Sequence, residues 1–237
     1  MATAVPKRKA DLKVVIMGDS SIGKTTLIHR YLDGKFTDVS TTIGASFFLK
    51  QWGPYNVAIW DTAGEEKFST LSSFYCRNAS AAILAYDICD RETFDSLQTR
   101  HLPLLEAAEK NCLAVAVGTK LDLVSPTSRQ VSNDAGEQFA VLSNPDKFKE
   151  GCDSKQRIPF FETSSLTGEN IDNVFLYIFS TLLPLDREGN AIDPNAGRKR
   201  PSGVVDLDTS HPQPQQQQSS PSGSPPPPMG TRQHRCC

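Results

Sequence analysis

The chain runs to 237 residues, 38% hydrophobic and 22% charged, with a formal net charge of −2 and a pI near 6.1. That size suits one compact domain with a tail, and the near-balanced charge argues against nucleic acid as the main partner. No apolar run is long enough to span a bilayer, and the polar N-terminus is no signal peptide.

Residues 1–10 read as a flexible arm in which Lys7-Arg8-Lys9 is a solvated basic run. Residues 12–17 have the character of a buried strand and residues 23–33 that of an amphipathic helix. Between them, Gly18-Asp19-Ser20-Ser21-Ile22-Gly23-Lys24-Thr25, followed by Thr26, matches the phosphate-binding pattern G-x-x-x-x-G-K-[ST]. Gly18 and Gly23 let successive backbone N–H groups turn inward around phosphates. The new helix points its positive end at the same anion. Lys24 supplies a point charge for the β- and γ-phosphates, and the Thr25 hydroxyl a ligand for Mg²⁺. A glycine-rich turn without a ligand is the alternative, and the strand–loop–helix setting disfavours it.

Residues 46–52 and 55–60 read as strands, and Gly53-Pro54 between them signals a turn, so the two pair as an antiparallel hairpin. The second strand ends in Asp61-Thr62-Ala63-Gly64-Glu65-Glu66. A carboxylate at a strand's C-terminal end is placed to hold Mg²⁺ through water, and Gly64 can bring its N–H against a γ-phosphate with no Cβ in the way. A helix is expected over 66–77, a strand over 81–87, a helix over 91–109 and a strand over 112–118. Gly118-Thr119-Lys120-Leu121-Asp122 comes next. The Asp122 carboxylate can accept from the N1–H and N2–H₂ groups of guanine, a donor pair that adenine lacks. A helix over 132–142, an inserted loop to 157 and a strand over 158–162 lead to Glu162-Thr163-Ser164-Ser165-Leu166, whose backbone can donate to the guanine O6. A last helix covers 168–183. Strands and helices mostly alternate, which predicts an α/β fold with a largely parallel sheet.

From Pro184 onward Pro, Gln, Ser and Gly dominate, and too few apolar residues remain to offset the entropy of ordering, so residues 185–237 read as a disordered tail. About 50 such residues reach roughly 40 Å r.m.s.. The chain ends in Cys236-Cys237, two thiols on a tether, suited to double lipidation unless their pairing is accidental. Arg198-Lys199-Arg200 offers weak support at anionic lipid. Cys76, Cys89, Cys112 and Cys152 are isolated, with neither zinc nor disulfide-scaffold spacing, as in a reducing cytosol.

The four loop motifs, in this order, resemble those of the Ras-like small GTPases. Phe74-Tyr75-Cys76-Arg77, the Thr42-Ile43-Gly44-Ala45-Ser46-Phe47 run and the Cys-Cys ending are similar to the Rab branch. The strand Phe48-Leu49-Lys50-Gln51-Trp52 and the long stretch before Glu162 are most like its divergent subfamily numbered twenty. The resemblance covers about residues 10–184, and beyond them only the last two. It implies a Ras-like G domain over 11–184: a P-loop NTPase with a mostly parallel six-stranded sheet, one antiparallel hairpin at its edge and helices on both faces.

By the same resemblance, the chain is a monomeric GTP hydrolase that uses GTP/GDP and Mg²⁺, with Lys24, Thr42, Gly64 and Glu65 at the reaction and Thr25, Thr42 and Asp61 at the metal. Phe36 packs against the guanine, unless it makes an ordinary hydrophobic contact. Phe47, Trp60 and Tyr75 match the trio that meets effectors, unless they simply fill the core. Cys236 and Cys237 carry prenyl groups. The partners implied are effectors, an exchange factor, a GTPase-activating protein (GAP), a prenylation escort and a GDP-dissociation inhibitor. The location implied is the cytosol and the cytoplasmic face of an endosomal or Golgi-type membrane, with a role in vesicle trafficking.

Two positions depart from the family pattern. Glu65 stands where a water-orienting Gln is usual, and Thr119 where an Asn is usual. The first predicts slow intrinsic hydrolysis, the second a trimmed nucleotide affinity. Two other readings stay open: a pseudo-GTPase scaffold held in its GTP state, and a small-substrate phosphotransferase, which the Asp122 motif opposes.

Overall fold

The computed structural model describes residues 10–37, 39, 41–64, 69–148, 157–186 and 188–192. Glu65, Cys152, Cys236 and Cys237 lie outside the described residues, as do much of the 142–157 insertion and nearly all of the tail. Eleven main elements follow in chain order: β1 (Leu12–Met17), α1 (Lys24–Asp33), β2 (Ala45–Trp52), β3 (Tyr55–Thr62), α2 (Ser69–Cys76), β4 (Ala81–Asp87), α3 (Arg91–Ser96), β5 (Leu113–Thr119), α4 (Asn133–Leu142), β6 (Phe160–Glu162) and α5 (Ile171–Leu182).

The strands form one sheet in the order β2-β3-β1-β4-β5-β6. Among the described strands only the β2–β3 pair is antiparallel, with Phe47 opposite Trp60; β1 pairs parallel with β3 and β4. Every residue of β1 is buried, as the central strand of a sheet covered on both faces must be. Its period-2 alternation divides the core. Leu12, Val14 and Ile16 pack with Leu27, Ile28, Phe175, Ile178 and Phe179 from α1 and α5. Val15 and Met17 pack on the opposite face with Phe94, Leu97 and Phe139. Tyr31 stacks on Phe175 at 3.8 Å between ring centroids, which locks α1 to α5. Fully burying a Phe contributes about 1.5–3 kcal/mol. Chain order reverses beside β1, and the loops at the C-terminal ends of β1, β3, β4 and β5 open on the crevice where such sheets bind ligands.

Three expected elements differ. The 91–109 helix is α-helical only to Ser96; a π-turn over Leu97–His101 and a 3-10 stretch over Leu102–Ala107 follow. Pro103 is the cause: it lacks an N–H, and its ring clashes with the carbonyl four residues back, so the ladder shifts and Leu102 N–H reaches Leu97 O instead. The 158–162 strand begins only at Phe160, after Pro159, which cannot donate to a ladder. The 168–183 helix begins at Ile171, because Gly168 (φ +90°) and Asn170 (φ +58°) are left-handed.

Past α5 the chain turns back on the β2–β3 hairpin. Trp52 Nε1–H donates to Leu183 O at 3.1 Å, Leu185 bridges to Ala191, and Leu185 methyls lie where a Cβ on Gly53 would be 3.0 Å away. Among the described residues no helix is long and apolar enough to cross a membrane.

Candidate nucleotide site

The P-loop leaves β1 through Gly18, where a Cβ would sit 2.2 Å from Ala85 O and 2.5 Å from Ile22 Cδ1. No side chain fits there. Ser21 takes φ +61°, a left-handed conformation that costs an L-residue about 1–2 kcal/mol. Gly23, at φ +94°, caps α1 with no side-chain hydrogen bond, and the first turn of α1 holds no acidic residue. The orphan N–H groups and the positive helix end are thus left for an anion.

Lys24 is only 5% exposed, and its Nζ donates to Asp19 O. Burial lowers its pKa to about 8, against the pull of Asp61 and Asp19. A cation held this way gains from an anionic ligand. Asp61 at the end of β3 is fully buried. Its Oδ2 accepts from Thr25 Oγ1 at 2.6 Å and from Thr42 Oγ1 at 3.3 Å, and the two hydroxyls lie 2.7 Å apart. Its Oδ1 is buried with no partner. Burial raises the Asp61 pKa, opposed by Thr25, Lys24 and Thr42.

Hard oxygens converging around an unsatisfied carboxylate are what a small divalent cation takes. Among the described residues no cluster of three His, Cys, Asp or Glu could hold a metal, so a cation here rests on hydroxyls, one carboxylate and a ligand's own oxygens. That is how Mg²⁺ is held beside phosphates, and Thr25, Thr42 and Asp61 fit it. Gly64 rests against the P-loop: a Cβ on it would be 2.4 Å from Ser20 N.

A second group of loops meets beside the first. Thr119 is buried, and its Oγ1 lies 2.7 Å from Ile22 O and 2.9 Å from Tyr86 O, which ties the P-loop to the ends of β4 and β5. Lys120 takes φ +60° and pairs with Asp87 at 2.8 Å. Asp122 is exposed and accepts from the Oγ–H of the fully buried Ser164. Thr163 N–H donates to Gly118 O at 2.7 Å, and Leu121 N–H to Thr163 O at 2.9 Å, which holds 164–166 beside 119–122. Leu166 is half exposed, as is Phe36.

A Ras family profile matches residues 13–183. The chain belongs to the Ras family. It is 36% identical over 233 residues to Ras-related protein Rab-20 of Homo sapiens, covering 88% of this chain and 96% of that protein. It is 36% identical over 202 residues to the Mus musculus Rab-20, covering 75% and 87%. Ras-related protein RABG3e of Arabidopsis thaliana is 32% identical over 216 residues, covering 87% and 95%. The chain is therefore a Rab-type small GTPase, similar to Rab-20, and the G domains of its family bind GTP and GDP with Mg²⁺.

Within this Rab-type domain, the aromatic trio is contiguous. Phe47 and Trp60 meet edge-to-face at 5.2 Å, and Trp60 and Tyr75 lie 5.8 Å apart. Trp60 packs on the core beneath and carries Lys13 Nζ 4.9 Å above its ring, while Phe47 is 38% exposed. The cluster is rooted in the core and open at its edge.

Sequence reasoning missed several bracing residues. Arg30 Nη2–H donates to Thr167 O at 3.1 Å, and Asn170 Nδ2–H to Glu162 O at 2.8 Å; both steady the 164–168 loop. Ser96, Arg100 and His101 all bond the Asp19 carboxylate. Asn170 reaches only eight residues back, but every other partner lies more than seventy residues away, where no local pattern can announce it.

Proposed function

We propose that this chain is a membrane-tethered Rab-type switch that cycles between GDP and GTP, recruits effectors in vesicle trafficking and hydrolyses GTP slowly. The observation that carries it is the meeting of Thr25, Thr42 and the half-satisfied Asp61 beneath an uncapped helix end and a buried lysine. Gly18, Asp19, Ser20, Ser21, Ile22 and Gly23 wrap the phosphates with their backbone, Thr26 extends the cradle, and Lys24 adds charge. Thr25, Thr42 and Asp61 would hold Mg²⁺, which when bound offsets charge on the β- and γ-phosphate oxygens. Asp122 accepts the guanine N–H pair, with Thr119 and Lys120 fixing its loop, Ser164, Ser165 and Leu166 lining the O6 side and Phe36 covering the base.

Thr42 and Gly64 sense the γ-phosphate, so its loss releases the segments on either side of β2 and β3. Phe47, Trp60 and Tyr75 lie beside those segments and serve as the effector contact. Cys236 and Cys237 would carry two prenyl chains, the number that stable anchoring takes. Deleting both should leave nucleotide binding intact and release the protein from membranes; a truncated chain that still pellets fully would refute this anchor.

Calorimetric titration tests the nucleotide reading. GDP and GTP should bind at least about 10⁴-fold more tightly than ATP, because a site built for a donor pair rejects a base without it. Equal affinities would remove the guanine assignment. Glu65 favours a second reading, a scaffold that binds GTP without turnover, since a carboxylate there adds charge beside the γ-phosphate and has no amide donor. Single-turnover hydrolysis with and without a GAP domain separates the two.

A further inference from the structure

Asp19 places a carboxylate in the loop that, on the reading above, wraps anionic phosphates. Its side chain is 16% exposed and turns toward the end of α3. Oδ2 accepts from Ser96 Oγ–H at 2.7 Å and from Arg100 Nη2–H at 2.6 Å, and Oδ1 is 2.8 Å from His101 Nε2. Burial lowers the His101 pKa, against the pull of Asp19, and its Nε2 faces a carboxylate oxygen that can only accept. The main chain of the same residue is engaged from the other side: Asp19 O accepts from Lys24 Nζ, and a Cβ on Gly64 would strike Asp19 C and O. Asp19 thus stands between α3 and the groups that meet the phosphates.

The π-turn makes the convergence possible. On a regular α-helix Ser96 and His101, five residues apart, would point about 140° from each other. The wider turn over Leu97–His101 reduces that divergence, so Arg100 and His101 flank Ser96 around one carboxylate. Such turns cluster at functional sites.

We infer that Arg100, His101 and Ser96 are positioning residues that hold the P-loop through Asp19 and set how long a nucleotide stays bound. Arg100 offsets a negative charge that would repel phosphate, and the three together fix the carbonyl on which Lys24 rests.

The inference rests on the guanine-nucleotide reading, and the test separates the two. Release of a fluorescent GDP analogue is followed by stopped flow in excess Mg²⁺. Arg100→Ala, on a half-exposed side chain, should fold and release GDP about 5- to 50-fold faster, within the range of a typical coupling between sites. His101→Ala should do likewise, and Arg100→Lys should recover part of the loss. Asp19→Ala combined with Arg100→Ala should be no faster than Asp19→Ala alone, because the arginine acts through that carboxylate. A general loss of stability would instead multiply the two effects. Wild type that retains GDP while both alanine variants at 100 and 101 release it within twofold of the wild-type rate, or a double variant with multiplied effects, overturns the clamp alone. Wild type that fails to retain GDP overturns the nucleotide reading and the clamp with it.

Discussion

The phosphate cradle and the segment from Gly34 to Gly44 differ in how their residues are held. In the cradle, Lys24, Asp61 and Thr119 are buried, Gly18 and Gly64 leave no room for a Cβ, and the Thr119 hydroxyl ties the P-loop to β4 and β5. In the segment, residues 34–37 are exposed and Ile43 is 86% exposed. Among its described residues, Thr42 Oγ1 meets Thr25 and Asp61, and Gly44 O accepts from Ala63 N–H at 2.8 Å. On the proposed function, the region that grips is built into the core, while the one that would change with its ligand is held, among its described residues, by a few polar contacts. If that proposal holds, binding strength and reporting should be alterable separately.

The sharpest break in that contrast is at the base. Asp122→Asn should weaken GDP and GTP binding by about a hundredfold or more and shift preference to xanthine nucleotides, whose 2-position is a carbonyl. Competition between GDP and XDP measures it, and an unchanged preference would show that Asp122 does not read the base. Next comes the segment itself. Thr42→Ala should weaken Mg²⁺-dependent GTP binding about tenfold and GDP binding less than about twofold, as expected for a contact made in one state. Equal losses would place Thr42 in the grip rather than the report.

Hydrolysis should respond more modestly. Glu65→Gln should raise the intrinsic rate a few-fold, about 2- to 10-fold, by restoring an amide that can orient water. The GAP-stimulated rate should change less, if the activating protein brings its own groups. Identical intrinsic rates would mean that position 65 does not orient water in this chain. The smallest effect lies inside the cradle, where Ser21→Gly should stabilise the nucleotide-free domain by about 0.5 kcal/mol through relief of a left-handed serine, read by chemical denaturation. A loss of stability there would mean that the serine side chain contributes more than its backbone conformation costs.

Much of this site could be read from local pattern. Gly18, Gly23, Lys24 and Thr25 stand at fixed spacing between a buried strand and an amphipathic helix, and that spacing alone specifies a loop closed by backbone donors. Gly53-Pro54 announced the hairpin. Other features depended on tertiary partners. Pro103 was a visible breaker inside 91–109, yet the π-turn it forces matters because of Asp19, more than seventy residues away in sequence. Thr119 read as a weakened base contact, while its hydroxyl turns inward to two carbonyls with a single proton to offer. Ser21 had no readable signal, because only the backbone shows its left-handed turn.

The path of the chain past α5 has a consequence for where the rest of the chain begins. Trp52, Gly53, Leu183 and Leu185 meet at the hairpin tip, beside the start of β3, whereas Asp61 lies at its end. Six residue steps of about 3.3 Å put roughly 20 Å of sheet between them. The described chain therefore ends, at Ile192, beside the blunt end of the sheet, where Ile192 N–H donates to Pro184 O at 3.0 Å. Whatever follows Ile192 thus starts on the side of the sheet away from the nucleotide mouth and the Phe47–Trp60–Tyr75 patch, and it need not cross either one.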